Sequence, residues 1–87
     1  MREQLVGQVR SFIVDSFLFG RKNGLRDDTS FLEQGIIDST GVLQLVAWVE
    51  QTFGISVEDG ELVPENFDSV EKLVEYLEAK LQPTTIN

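Results

Sequence analysis

The sequence predicts an all-α domain: a small four-helix bundle of three main helices and one short helix, with a long first loop. Three observations predict it. Apolar residues recur at three- and four-residue steps in three separate segments. Glycines and a proline stand between those segments as breakers. The only strand-like run, Ile55-Ser56-Val57, is three residues long and has nothing to pair with.

The first helix is expected over about residues 2–18, where Leu5, Val6, Val9, Phe12, Ile13 and Phe17 share one face. Gly20 and Gly24 frame Arg21-Lys22-Asn23 and open a loop running to about residue 38, longer than a helix connection needs. Inside the loop, Ser30 and Glu33 have capping-box spacing and Gly35 supplies a stop. A single turn is expected there, plugging Phe31 and Leu32 into the core.

The second helix is expected over 39–53, with Val42, Leu45, Val46, Val49 and Phe53 periodic and Gly54 ending the run. Its core face is expected to be Val42, Val46, Val49 and Phe53. Ile55 and Val57 then belong to an extended connector. Glu61 to Phe67 is a short third helix or a turn, because Pro64 is tolerated in a first helical turn. In the last helix, about 69–81, Val70, Leu73, Val74, Leu77 and Leu81 line one face, and Asp68 offers a cap with Glu71 three residues on. The domain is expected over 1–82, with a polar tail at 83–87.

The chain has no cysteine and no histidine, and 41% of its 87 residues are apolar. Stability must come from the core, without a disulfide or Cys-based metal site. No apolar run approaches the ~20 residues of a membrane span, and the start does not resemble a secretory signal. The expectation is a cytoplasmic protein with no membrane role. Net charge is −8, distributed as +3 over residues 1–26 and −11 over 27–87. That excludes a nucleic-acid role, which needs a concentrated basic surface. The acids either steer the domain to basic patches on partner proteins or only keep it soluble. Arg21-Lys22 is either solvated or in contact with a partner.

The stretch Gly35-Ile36-Ile37-Asp38-Ser39-Thr40-Gly41 places a serine at the start of the second helix. A nucleophilic serine relies on a base such as His or Lys, and the chain has no histidine and only three lysines, Lys22, Lys72 and Lys80. Self-catalysed hydrolysis is therefore disfavoured, and no enzyme activity is expected. The acidic run Glu58-Asp59-Gly60-Glu61 lacks the ligand pattern of an EF-hand loop and reads as a solvated loop, so no metal site is expected. The glycines form neither dinucleotide nor Walker motifs. Ser39 is then either a helix cap or a residue that another enzyme modifies. If Asp38 caps, the Ser39 hydroxyl is left free at a helix N-terminus, where an attached phosphate is favoured.

The frame Asp28-Thr29-Ser30-Phe31-Leu32-Glu33-Gln34-Gly35-Ile36-Ile37-Asp38-Ser39, followed by an apolar helix ending Phe53-Gly54-Ile55, resembles the acyl carrier proteins over about residues 3–81. The resemblance implies a phosphopantetheine-binding carrier with 4′-phosphopantetheine attached covalently to Ser39. Asp38 then acts as cap and as a contact for the modifying enzyme or its Mg²⁺. The arm supplies the thiol that a cysteine-free chain lacks. The implied partners are a phosphopantetheinyl transferase, an adenylating enzyme that loads the cargo, and downstream acyl-modifying or transfer enzymes. A partner-binding face is implied at Thr40, Gln44, Ala47 and Gln51, with Trp48 either an interface anchor or packed against the Val57–Phe67 connector. Fatty-acid carriers usually have a leucine after the serine and acids at later docking positions, whereas this chain has Thr40, Gly41 and Gln44. The run DSTGVLQLV is more similar to discrete aminoacyl, peptidyl or D-alanyl carriers. The expectation is a monomeric, free-standing carrier of an aminoacyl or short acyl group in secondary metabolism. The alternatives are a fatty-acid or polyketide carrier, a D-alanyl carrier, or an unmodified protein-interaction module.

Overall fold

The computed structural model describes residues 2–20 and 24–81; the Arg21-Lys22 pair and the tail at 83–87 lie outside the described residues. Four α-helices follow in order: α1 (Arg2–Phe17), α2 (Ser39–Phe53), α3 (Pro64–Phe67) and α4 (Val70–Leu81). A 3-10 turn at Asp59–Glu61 precedes α3, and no strand occurs among the described residues. The expected four-helix, all-α architecture is the one observed.

The core is built where the apolar periodicities converge. Leu5, Val9 and Ile13 of α1 face Val70, Leu73, Val74 and Leu77 of α4, and α2 adds Leu45 and Val49. Burying a side chain of this size is worth ~1.5–3 kcal/mol relative to exposure, so these stripes dominate the fold's stability. On α2 the buried line is Gly41, Leu45 and Val49, while Val42, Val46 and Phe53 are only half-buried. The expected core face was therefore rotated from the true one. Leu45 is the residue directly under the bundle, and α2 carries apolar flanks on both sides because α1 and the loop segments cover different parts of it.

Each helix end has a local cause. Gly54 takes the left-handed conformation, φ 67°, that lets its N–H close back on the Glu50 carbonyl at 3.0 Å. Pro64 occupies the first turn of α3, where its missing N–H costs nothing. At α4 the cap is Ser69, not Asp68: the buried Ser69 hydroxyl accepts from the Lys72 N–H at 3.1 Å. Asp68 is engaged elsewhere.

That engagement fixes the long loop. The Asp68 carbonyl accepts from the Phe31 N–H at 2.8 Å, and its carboxylate accepts from the Leu32 N–H at 2.9 Å and from the Ser30 hydroxyl. The expected turn is present, with the Glu33 N–H on Ser30 Oγ at 3.1 Å. Phe31 is buried as expected, but Leu32 is 49% exposed. With adjacent backbone positions both tied to Asp68, one side chain of the pair points inward and the other out.

The run 58–61 is also more ordered than a solvated loop. Glu58 and Glu61 form a reciprocal capping box, and the half-buried Glu61 carboxylate accepts from the Tyr76 hydroxyl at 2.9 Å and Lys80 Nζ at 3.1 Å. The Glu58 backbone N–H first, then Tyr76 and Lys80, hold the Glu61 carboxyl below its ordinary value of 4.5. Burial first and the bond to Glu61 second push the Tyr76 hydroxyl upward, so it remains a donor.

Two outcomes are expected in urea unfolding. Asp68→Ala should destabilise by about 2–3 kcal/mol, since it strips charge-assisted bonds from the loop, whereas a loss below ~0.5 kcal/mol would contradict the clamp. Glu61 has a lowered folded pKa, so its contribution is complete above 4.5 and is lost as pH falls through the lower folded value. Glu61→Gln should remove that acid-side component of the stability profile.

Candidate functional site

The chain leaving the Asp68 clamp is turned at once toward α2. The Ile36 and Ile37 N–H groups both donate to the Phe31 carbonyl, at 2.8 and 3.3 Å, and Ile37 is buried. The next residue, Asp38, is extended (φ −101°, ψ −173°) and forms the N-cap of α2. Its carboxylate accepts from the Gly41 N–H at 2.8 Å, and its carbonyl accepts from the Val42 N–H at 3.0 Å.

Ser39 is therefore the first helical residue, exposed to solvent. Among the described residues no hydrogen bond engages its hydroxyl, because Asp38 already satisfies the helix end. The partial positive charge of that end favours an anion carried on Ser39 by ~0.3–1 kcal/mol. An attached phosphodiester suits both the access and the electrostatics of this position.

Gly41 is what allows the loop to close on the helix. A Cβ there would lie 2.9 Å from Ile37 Cγ2, 2.9 Å from Phe17 Cε1 and 3.4 Å from the Asp38 carboxylate. The absence of a side chain lets the end of α1, the end of the loop and the cap meet at one point.

Ser39 lies on the edge of a cleft of about 340 Å³. Phe31, Ile37, Val42 and Leu43 line it on one side, and Leu62, Val63, Pro64 and Phe67 on the other. Its mouth carries three exposed leucines, Leu32, Leu43 and Leu62. The sequence reading missed this cleft, although Leu43 stands four residues after Ser39 and so shares its helix face.

Of the expected partner-binding residues, Thr40, Gln44, Ala47 and Gln51 are exposed on α2. Trp48 is half-buried. It stacks on Phe12 of α1 at 4.4 Å between ring centroids and meets Phe53 edge-on at 5.5 Å. Through Phe12, α1 covers that side of α2. Among the described residues no group of acidic side chains could hold a metal, and no helix is long and apolar enough to cross a membrane.

A short helical bundle presenting an uncommitted serine at a helix N-terminus beside an apolar cleft defines a carrier domain, a scaffold for a covalently held group. Residues 18–77 match the family model described as the phosphopantetheine attachment site, and the chain belongs to that family. Probable acyl carrier protein PigG of Serratia sp. (strain ATCC 39006) is 33% identical over 70 residues, 80% of this chain and 80% of that protein. A chain from a crystal structure described as that of an FAD-dependent dehydrogenase matches with a TM-score of 0.71 at 32% identity, covering 79% of this chain and 97% of that one. The protein is thus an acyl-carrier-like phosphopantetheine-binding carrier and not an enzyme, with phosphopantetheine as its covalent cofactor.

Two glycine substitutions separate close approach from helix propensity. Gly41→Ala should destabilise by about 1–2 kcal/mol, because the steric cost of ~1–3 kcal/mol outweighs the gain in propensity. Gly7→Ala, mid-helix with nothing within 4 Å, should stabilise by about 0.5–1 kcal/mol. Equal shifts of thermal midpoint in the two variants would contradict the packing at the Ser39 end.

Proposed function

We propose that Ser39 is the attachment residue and that the protein carries an aminoacyl or short acyl group between enzymes of secondary metabolism, as a free-standing cytoplasmic monomer whose carrier domain is residues 1–82. The observation that carries the reading is the division of labour at the start of α2. Asp38 caps the helix, which leaves the Ser39 hydroxyl exposed and uncommitted at the edge of the cleft.

In the modification step, Ser39 Oγ forms a bond to the pantetheine-side phosphorus of the coenzyme A pyrophosphate, the bond from that phosphorus to the bridging oxygen breaks, adenosine 3′,5′-bisphosphate leaves, and the hydroxyl proton passes to the transferase. Activation comes from the transferase and its Mg²⁺. Asp38 contributes by keeping the helix end satisfied and as a contact for the transferase or its metal. Once attached, the arm supplies the thiol on which the cargo is held as a thioester.

The cleft beside Ser39 is lined almost wholly by apolar side chains, which supports a tethered acyl or aminoacyl group resting there. The exposed α2 residues Thr40, Gln44, Ala47 and Gln51 are uncharged, which supports docking without the acidic stripe expected of a fatty-acid carrier. Leu43 joins that face, and the rim of Trp48 borders it from the α1 side. The loading partner on this reading is an adenylating enzyme. An FAD-dependent dehydrogenase joins the downstream partners as a candidate, supported by the domain-sized chain matched in such a structure.

The test is intact-protein mass after incubation with coenzyme A, Mg²⁺ and a permissive phosphopantetheinyl transferase. One added phosphopantetheine on the parent and none on Ser39→Ala is expected. Absence of addition would leave the fold serving as an unmodified interaction module, and equal addition to the variant would move the attachment to a residue other than Ser39. A panel of adenylating enzymes with amino acids and acyl acids then reads cargo, and exclusive loading with long fatty chains would contradict the aminoacyl or short-acyl reading.

A further inference from the structure

One wall of the cleft has little structure of its own. It is the connector from Leu62 to Phe67, whose only helix is the four-residue α3. Leu62 and Pro64 are exposed and Val63 is half-buried, so apolar packing anchors this wall at its far end, through the buried Phe67, and little at its start.

The wall is tied to α4 at the residue immediately before it. Glu61 Oε1 accepts from the Tyr76 hydroxyl at 2.9 Å, and Lys80 Nζ lies 3.1 and 3.3 Å from the two carboxylate oxygens. The Glu58 N–H donates to Glu61 Oε1 at 3.0 Å, while the Asn66 side-chain amide donates to the Glu61 carbonyl at 2.8 Å. One residue thus gathers the turn, α3 and two positions of α4. Tyr76 is 7% exposed and its ring lies 5.0 Å from that of Phe67, a wall residue. Hydrogen bonds to an ionised acceptor in a partly shielded site are the strong ones, and they reinforce one another.

We propose that Glu61 is a positioning residue, a latch that joins the outer wall of the cleft to Tyr76 and Lys80 of α4 and thereby sets the aperture open to a group tethered at Ser39. The proposal rests on the carrier reading for the identity of the tethered group. The latch itself is a property of the unmodified protein. With the latch closed, Leu62, Val63 and Phe67 face Val42 and Leu43 across a fixed gap. With it open, the connector is free to move away from α2 and the cleft loses its grip on the tethered group.

The absence of cysteine supplies the test. Ser39→Cys creates a single thiol, to which a thiol-reactive solvatochromic naphthalene dye is coupled without any transferase. The dye on the latched protein should emit to the blue of the same dye quenched with free thiol, reporting an apolar site. Adding Glu61→Gln or Lys80→Met should return the emission toward the aqueous wavelength, and Lys80→Arg, which keeps the cation, should retain the blue emission. In the unlabelled parent chain, amide exchange at Leu62, Val63 and Phe67 should quicken about tenfold or more in Glu61→Gln and Lys80→Met, with Val9 and Ile13 unchanged. Should Glu61→Gln fail to fold, Tyr76→Phe removes one hydroxyl and should give the same local rise in exchange.

Aqueous emission already present with the latch intact overturns the proposal. So does unchanged exchange at 62–67 in the variants, or a rise shared equally by Val9 and Ile13. Failure of Ser39 to accept phosphopantetheine removes the carrier reading instead and leaves the exchange result standing, so the two failures are distinguishable.

Discussion

At Asp68, one carbonyl and one carboxylate take three hydrogen bonds from the turn at residues 30–32, and the location of Ser39 follows from that junction. A loop as long as the one between α1 and α2 closes at an entropic cost that grows only slowly with length, but nothing in the closure itself fixes where its far end arrives. The clamp does. It holds Phe31 over the core, the Phe31 carbonyl then receives the Ile36 and Ile37 N–H groups, and Ile37 is delivered against Gly41. A second tie, from the Glu71 N–H to the Asp27 carbonyl at 2.8 Å, holds the earlier part of the loop to α4. Asp38 thus reaches the end of α2 already oriented to cap it.

The helix start then separates two tasks that a single serine would otherwise perform. A serine at the N-cap spends its oxygen on a backbone N–H. Placing aspartate at the cap and serine one residue later moves the hydroxyl outside the helix's own network while keeping it within the field of the helix terminus. The same arrangement puts the hydroxyl on the side of α2 that carries Val42 and Leu43, so whatever is attached there begins at the cleft. Capping, charge and cleft are consequences of one backbone trajectory.

The helices and the cap of α2 were legible because they depend on neighbours in the chain. α2 begins and ends where the spacing put it, α1 stops one residue sooner, and α4 starts one residue later with Ser69 as its cap. What required the third dimension was partnership across the chain. Asp68 reads as a local cap, since its role toward residues 30–32 spans more than thirty positions. Glu61 sits in an acidic run that looks solvated until Tyr76 and Lys80, on a different element, are seen to converge on it. Trp48 stands apart from the core on a wheel drawn for one helix, but α1 supplies Phe12 as its stacking partner. Leu32 and Leu43 carry the general expectation that leucine is buried, and both are exposed at the cleft mouth. For Ser39 and Asp38 the local pattern sufficed, because a cap followed by a first helical residue is a short-range relation.

Charge and apolar surface act at different ranges in such a molecule. Thirteen acids lie in residues 27–87 against two lysines, so the long-range field that draws a basic partner comes from the whole acidic part of the domain. Several of those acids are already committed to internal bonds, Asp68 to the loop, Asp38 to the cap and Glu61 to the latch. Around Ser39, the α2 residues left to touch a partner are uncharged, with Leu43 at 63% exposure among them. Contact at that face on the proposed reading is then short-ranged and apolar, and salt acts mainly on how fast the partners meet.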